Sequence, residues 1–325
     1  SCRNRHCPKC LGSQRKKWLE ARESELLPVP YFHVVFTVPQ RIAEIALRNR
    51  RVVYDILFRA ASETLLSIAR DPNRLGARIG FFAVLHTWTR TLLHHPHLHC
   101  VVPGGGLSLD GKRWIASRRK FFLPVRVLSR RFRNLFVDAL QEAFRDERLR
   151  LTGALVPLAD HATFCALLDT FRAHEWVVYT KRPFGGPERA VRYLGRYTHR
   201  VALVNDNILH VDDRTVTFRF KNTREGHRTE TMTLDADEFI RRFLLHVLPE
   251  RFVKIRHFGL LANRCRKQSL ALCRRYLAAS SPPTPRHPSP YAPACPACGG
   301  RMLTLFLFEP GATPCCSPTP PLDSS

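Results

Sequence analysis

Two histidines, His97 and His99, have the spacing of a metal-binding pair. They flank Leu98 at the start of an apolar segment typical of a strand, and residues i and i+2 of a strand project to the same face. Both imidazoles can therefore reach one ion, while Leu98 points the other way, into the core. Two neutral imidazoles leave coordination positions open for a substrate oxygen, as a catalytic metal requires. Further histidines lie close by in the chain, namely His86, His94 and His95.

Two tyrosines, Tyr193 and Tyr197, could supply nucleophiles. At positions i and i+4 of a helix they share one face, with about 5–6 Å between their Cβ atoms. Their neighbours are cationic, whereas a tyrosine of the core would be surrounded by apolar residues. Gly195 stands between them, and a glycine inside a helix costs about 1 kcal/mol, which indicates that another group approaches that backbone closely.

A tyrosine nucleophile needs a polarised electrophile, because its reference pKa of about 10 keeps it mostly protonated at neutral pH. A divalent ion on His97 and His99 would withdraw charge from a scissile phosphate, and nearby arginines would offset the rest. A phosphotyrosine ester would form as one DNA hydroxyl leaves. The bond energy is retained in that ester, so a later hydroxyl could rejoin the strand without ATP.

The charge of the chain favours a polyanionic partner. Its 325 residues contain 52 Lys and Arg against 27 Asp and Glu, a formal net charge of +25. Such an excess opposes compaction unless a polyanion neutralises it, and phosphate contacts supply most non-specific binding of nucleic acid. A merely solvated basic surface is the alternative. The expected DNA contacts are Lys181, Arg182, Arg192, Arg196 and Arg200.

The pattern of apolar residues predicts an α+β fold with an antiparallel sheet, since strands and helices mix without regular βαβ alternation. We predict strands at 31–38, 80–89, 97–102, 176–180, 200–204, 208–211 and 214–221, and a hairpin around Asp110-Gly111. Helices are predicted at 14–27, 42–70, 125–148, 160–174, after Pro187, at 235–247 and at 261–278.

The chain divides by composition into four segments. Residues 1–27 hold a partial zinc-binding segment and a connecting helix, and residues 28–279 form the catalytic domain. A Pro/Ser-rich linker at 280–294 leads to a small cysteine-containing tail at 295–325. No apolar run approaches the roughly 20 residues that span a bilayer, and no signal peptide is visible. We therefore expect a cytoplasmic protein with reduced cysteines and no membrane partner.

Five motifs together resemble the two-tyrosine HUH transposases of bacterial insertion sequences, and most closely the insertion-sequence-ninety-one family. They are HPHLHCVVPGGG (95–106), RPFGGPE (182–188), RYLGRYTHR (192–200), EFIRRFLLHVLP (238–249) and IRHFGLLANR (255–264). The resemblance covers about residues 1–300 in the same order. It implies an HUH endonuclease-type antiparallel sheet flanked by helices, with small cysteine-rich terminal segments.

The resemblance also implies a function. It assigns Mg²⁺ or Mn²⁺ to His97 and His99, and the nucleophiles to Tyr193 and Tyr197. The expected reaction is nicking and joining of single-stranded DNA at transposon ends and target through a 5′-phosphotyrosine, in a rolling-circle-like transposition on the bacterial nucleoid, with no nucleotide cofactor. HUH sites usually have a third polar ligand, for which His86 is the first choice and His199 the second.

The family has an N-terminal zinc-binding module, and residues 4–10 resemble its last part. The candidate ligands are Cys7 and Cys10, with Cys2 or His6 as a third. A second half-site, at Cys295 and Cys298 beyond the linker, could pair with Cys315 and Cys316 or with Cys7 and Cys10. A structural zinc site needs four ligands, so neither unit is complete by itself.

Two other classes of protein stay open. One is a non-catalytic zinc or basic DNA-binding protein, or an inactive fragment of a transposase, which would bind DNA without cutting it. The other is a metal hydrolase of the His-x-His type. That class needs further Asp, His or Lys ligands at strand ends in a repeating β/α pattern, and no such pattern is found.

Overall fold

Apolar segments of the chain form one central antiparallel sheet in the computed structural model. The structure describes residues 8–118, 122–181, 195, 203, 205–222 and 228–280. The chain divides into two compact units, Ser1–Ala278 and Ala279–Ser325, and the sheets belong to the first. Among the described residues, no helix has the length and apolar character needed to cross a membrane.

The helices are α1 (Pro8–Glu23), α2 (Gln40–Arg48), α3 (Arg50–Arg70), α4 (Val125–Arg145), α5 (His161–Ala173), α6 (Ala236–Leu244) and α7 (Arg266–Ser280). The strands are β1 (Tyr31–Thr37), β2 (Ala77–Arg78), β3 (Gly80–Trp88), β4 (His94–Pro103), β5 (Gly105–Ser108), β6 (Trp114–Ala116), β7 (Val178–Lys181), β8 (Ile208–Val211), β9 (Thr215–Asn222), β10 (Arg228–Asp235) and β11 (Ile255–Gly259).

The central sheet has the strand order β11-β3-β4-β1-β7, and every neighbouring pair is antiparallel. The fold is therefore α+β with a central antiparallel sheet flanked by helices, and the predicted fold class is confirmed. Two small sheets accompany it, with orders β10-β9-β8 and β2-β5-β6. The second contains the hairpin expected at Asp110-Gly111, where Gly111 adopts a φ of +74°.

One face of the central sheet packs against α2 to α5 and forms the main core. Alternate residues of the strands, such as Phe36, Leu85 and Leu98, are buried there with helical residues such as Leu57 and Phe136. Burying a side chain of this size contributes about 1.5–3 kcal/mol. This face is continuous and apolar, so it fixes which residues of each strand point to the other side.

The opposite face is divided into an apolar half and a histidine half. In the apolar half, Tyr31, Phe82 and Val101 pack with residues of α1 and α7, including Trp18 and Leu270. The histidine half lies further along the same strands and contains His33 of β1, His86 of β3, and His97 and His99 of β4. The described helices thus leave the histidine half without the apolar cover that the other half has.

The small sheet β8–β10 packs through Phe218 on the turn that joins β3 to β4. Leu92, at that turn, is buried with Phe218, and α6 adds Phe239 and Phe243 to the same cluster. The turn between the two histidine-bearing strands is therefore held by the part of the chain that follows the tyrosines.

The predicted elements were wrong or incomplete in two respects. The helix predicted at 42–70 is two helices, because Asn49 leaves helical geometry and its side chain bonds both backbone groups of Arg150. Strands β10 and β11 were missed. The residues of β10 are mostly polar and none is fully buried, and all side chains of β11 are only half-buried. The helix expected after Pro187 and the strand at 200–204 lie outside the described residues, apart from Gly195 and Leu203.

Buried neutral histidines predict that acid destabilises the fold. Burial lowers the pKa of His94 to about 3 and that of His246 to about 4. The unfolded chain, with histidine pKa values near 6.5, binds more protons than the folded one from about pH 6.5 down to 4. The free energy of unfolding should therefore fall as the pH drops through this window. Each tenfold difference in proton affinity between the folded and unfolded chains corresponds to about 1.4 kcal/mol.

Thermal melts between pH 7.5 and 4.5 measure this loss. We expect His246→Gln to flatten the dependence of Tm on pH, and His174→Gln, at an exposed histidine, to leave it as in the wild type. An unchanged slope in His246→Gln would contradict the assignment.

Candidate metal centre

Three imidazoles converge on the histidine half of the sheet. His97 and His99 project from β4, and His86 of β3 stands directly opposite His97 in the strand register. One nitrogen from each ring lies within 4.8 Å of the other two. The ring centroids of His86 and His99 are 4.1 Å apart, and those of His97 and His99 are 4.9 Å apart. Within the described ranges, this is the only such cluster of histidine, cysteine or acidic side chains.

The alternation of the strands explains why these side chains meet. Leu85 and Leu98 are opposite each other in the register and are both buried in the main core. Their neighbours along β3 and β4 must therefore point to the other face. The register shifts between His86 and Trp88, and irregularities of this kind re-aim side chains beside functional sites.

His97 is held as a neutral imidazole with one defined lone pair. Its Nδ1 lies 2.7 Å from the carbonyl oxygen of His95. A carbonyl only accepts, so Nδ1–H donates and Nε2 keeps the lone pair. Burial lowers the pKa of His97 to about 4, although this hydrogen bond opposes the shift. At neutral pH His97 therefore has the protonation state of a metal ligand.

His33 contacts the Nδ1 side of the His99 ring, a contact that was not predicted from the sequence. His33 Nε2 lies 2.7 Å from His99 Nδ1, and the two rings stack with centroids 4.9 Å apart. When His99 Nδ1 donates this hydrogen bond, His99 Nε2 is left with the lone pair that a metal needs. The only signal in the sequence was a histidine inside the apolar segment 31–38, where alternation places it on the same face as His99.

Trp88 and His246 support His86. The indole of Trp88 stacks on the His86 ring with centroids 4.9 Å apart, and it meets the ring of His246 edge to face at 6.0 Å. His246 Nε2 donates to the carbonyl of Leu92 at 3.0 Å, and its Nδ1 lies 3.3 Å from the Thr87 hydroxyl. His246 thus connects the turn of the β3–β4 hairpin to the strand that bears His86.

The other expected site residues lie mostly outside the described part of the chain. These are Tyr193, Tyr197, Arg182, Arg192, Arg196, His199, Arg200, Cys2, Cys7, Cys295 and Cys298. Lys181 is the last residue of β7 and pairs with His33 of the neighbouring strand β1. Cys10 lies at the start of α1. Their roles stay predictions.

The donor set suits a divalent metal ion. Three imidazoles supply neutral nitrogen ligands, and three protein ligands leave positions open for water or substrate. Nitrogen donors favour transition-metal ions, whereas Mg²⁺ prefers oxygen ligands and loses its water reluctantly. Of the two ions expected from the sequence, Mg²⁺ therefore fits this centre less well than Mn²⁺.

Comparison with known proteins finds two family models along this chain. Residues 80–269 match the family model described as "Putative transposase", and residues 1–38 match the "Transposase zinc-binding domain". The first match contains β3, β4 and all three histidines of the cluster. The second contains α1 and β1.

Two relatives align over most of their length. The chain is 52% identical over 323 residues to "Putative transposase y4qJ" of Sinorhizobium fredii, covering 95% of this chain and 81% of the relative. It is 30% identical over 316 residues to "Transposase for insertion sequence element IS801" of Pseudomonas savastanoi pv. phaseolicola, covering 93% of this chain and 74% of the relative. With both family models matched in order, the chain belongs to the insertion-sequence-ninety-one family of transposases.

Proposed function

We propose that this transposase nicks and joins single-stranded DNA through a 5′-phosphotyrosine, in a rolling-circle-like transposition in the bacterial cytoplasm. Tyr193 and Tyr197 are the proposed nucleophiles, and His86, His97 and His99 the proposed ligands of a divalent ion. The observation that supports this most directly is the convergence of three imidazole nitrogens within 4.8 Å on a sheet face that the core-forming helices do not cover.

When bound, the ion would supply positive charge beside the phosphate. The protein's own groups would supply the nucleophile and bind the DNA backbone. In the proposed cut, the phenolic oxygen of one tyrosine attacks phosphorus and loses its proton, the bond from phosphorus to the 3′ oxygen breaks, and that oxygen takes up a proton. One phosphate ester replaces another, so attack by a 3′ hydroxyl on the phosphotyrosine rejoins a strand without an external energy source.

Two tyrosines would allow two ends to be handled in one reaction. While one tyrosine holds a cut strand, the other can attack a second phosphodiester. Arg182, Arg192, Arg196 and Arg200 are proposed to contact the DNA backbone, together with Lys181. The formal net charge of +25 accords with a polyanionic substrate.

Zinc is proposed at the N-terminal cysteines, in line with the zinc-binding domain model matched at residues 1–38. Cys2, Cys7 and Cys10 are the candidate ligands there, and Cys295 and Cys298 form a separate candidate half-site in the tail. Thiolate ligands select Zn²⁺ over Mg²⁺ or Mn²⁺, so the two proposed centres can be titrated separately.

Removing any member of the histidine cluster should abolish binding of Mn²⁺. We expect His86→Ala, His97→Ala and His99→Ala to eliminate the Mn²⁺ isotherm in titration calorimetry of the zinc-loaded protein. His33→Ala should weaken the affinity about tenfold to 100-fold, which is the usual effect of removing the hydrogen-bond partner of a ligand. The wild type should bind Mn²⁺ more tightly than Mg²⁺.

His174→Ala is the control, because His174 is an exposed histidine outside the cluster. Its Mn²⁺ affinity should equal that of the wild type. If the cluster variants remain folded, judged by their Tm, and still bind Mn²⁺ normally, the ligand assignment is wrong.

The tyrosines should be needed for a covalent DNA adduct. With labelled single-stranded oligonucleotides from the transposon ends and Mn²⁺, the wild type should form an adduct that survives denaturation. Tyr193→Phe and Tyr197→Phe should each reduce it, the double variant should eliminate it, and His97→Ala should eliminate it too. All of these variants should still retard DNA, since phosphate contacts dominate binding.

A protein that retards DNA but never becomes attached to it, in Mn²⁺ or Mg²⁺, would instead be a non-catalytic DNA-binding protein. An adduct that persists in the double tyrosine variant would place the nucleophile on another residue.

A further inference from the structure

Gly195, the residue between the two tyrosines, is buried in helical backbone. The side chain of Leu19, from α1, occupies the space beside it. A Cβ built on Gly195 would lie 3.0 Å from Leu19 Cγ and closer still to Leu19 Cδ2. Only glycine lets the leucine approach this backbone without displacement. The close approach expected at this position therefore comes from within the protein, from α1, whose first turn contains Cys10.

Helix α1 is itself firmly held on the sheet. The indole of Trp18, the residue next to Leu19, meets the ring of Phe82 edge to face with centroids 5.6 Å apart. One turn further, Arg22 donates to His257 Nε2 of β11 at 3.0 Å and pairs with Glu25 at 2.9 Å. An aromatic contact of this kind contributes about 0.5–1.5 kcal/mol beyond its buried area, and the Arg22 contacts are largely shielded from solvent.

The anchor of α1 is on the strand that bears a metal-centre histidine. Phe82 and His86 are four residues apart on β3, so they project to the same face. At about 3.3 Å per residue they are roughly 13 Å apart along the strand. Contacts thus connect β3, the strand that bears His86, through Phe82 and Trp18 to α1, and connect α1 through Leu19 to Gly195.

We infer that α1 positions the chain around Gly195, and with it the segment that carries the two tyrosines, with Leu19 packed on Gly195 as the contact that sets its place. Helix α1 is then a structural part of the proposed catalytic site. Leu19 and Gly195 act as positioning residues, since neither reaches the reacting atoms. This inference rests on the proposed function for its effect on catalysis, whereas the contact itself can be tested independently.

A double-mutant cycle tests the positioning role. Gly195→Ala places a methyl group where Leu19 lies, and a displacement on the order of 1 Å can slow a reaction about 100-fold. We expect the single-turnover rate of adduct formation to fall about tenfold to 100-fold. In the Leu19→Ala background the space is open, so adding Gly195→Ala should cause no further loss. Mn²⁺ affinity should be unchanged in all three variants, because none of them alters a member of the histidine cluster.

A disulfide tests the contact without any catalysis. Under mild oxidation, Leu19→Cys combined with Gly195→Cys should give a crosslink between those two positions, found by peptide mass mapping. Lys17→Cys combined with Gly195→Cys is the matched control and should not, because Lys17 is exposed on another side of α1.

The outcomes separate the two ideas. Equal losses from Gly195→Ala in both backgrounds, or no crosslink specific to position 19, would overturn the positioning role. If the double-cysteine variant forms the crosslink at position 19 but the wild type forms no DNA adduct, the contact is established and the proposed tyrosine chemistry is wrong.

Discussion

The register between β3 and β4 is the constraint on which the histidine cluster depends. Leu85 and Leu98 face each other across these strands and are buried in the main core. Because side chains alternate along a strand, a slip of one residue would bring the leucines to the histidine half and force imidazoles into the core. The burial of two leucines, at about 1.5–3 kcal/mol each, thus also aligns His86 with His97. The same strand register therefore builds both the hydrophobic core and the histidine cluster.

The turn between these strands needs support of its own. Leu92 adopts a φ of +62°, a backbone conformation that costs a leucine about 1–2 kcal/mol. His246 bonds its carbonyl, and Arg242 donates to the neighbouring carbonyl of Thr91 at 3.1 Å. Leu92 is also buried against Phe218 of the small sheet. The long motif at 238–249 therefore fixes the β3–β4 hairpin, which bears His86, His97 and His99.

The two segments of the chain that match family models contact each other on one face of the sheet. The N-terminal match supplies α1 and β1, and the longer one supplies β3 and β4. Trp18 packs on Phe82 in the apolar half, and His33 contacts His99 in the histidine half. The zinc-binding part and the transposase part therefore share a packed interface, which gives a physical reason for their occurrence in one chain.

Local patterns in the sequence were enough to determine the fold class, the strand with His97 and His99, and the glycine that marks a close backbone approach. These follow from residue periodicity and backbone freedom, which act over a few residues. Tertiary structure alone decided that His33 lies behind His99, that Trp88 and His246 support His86, and that Leu19 is the group against Gly195. Most of those partners are tens to hundreds of residues apart in the chain, and which of them meet depends on strand order and register, which no local pattern specifies.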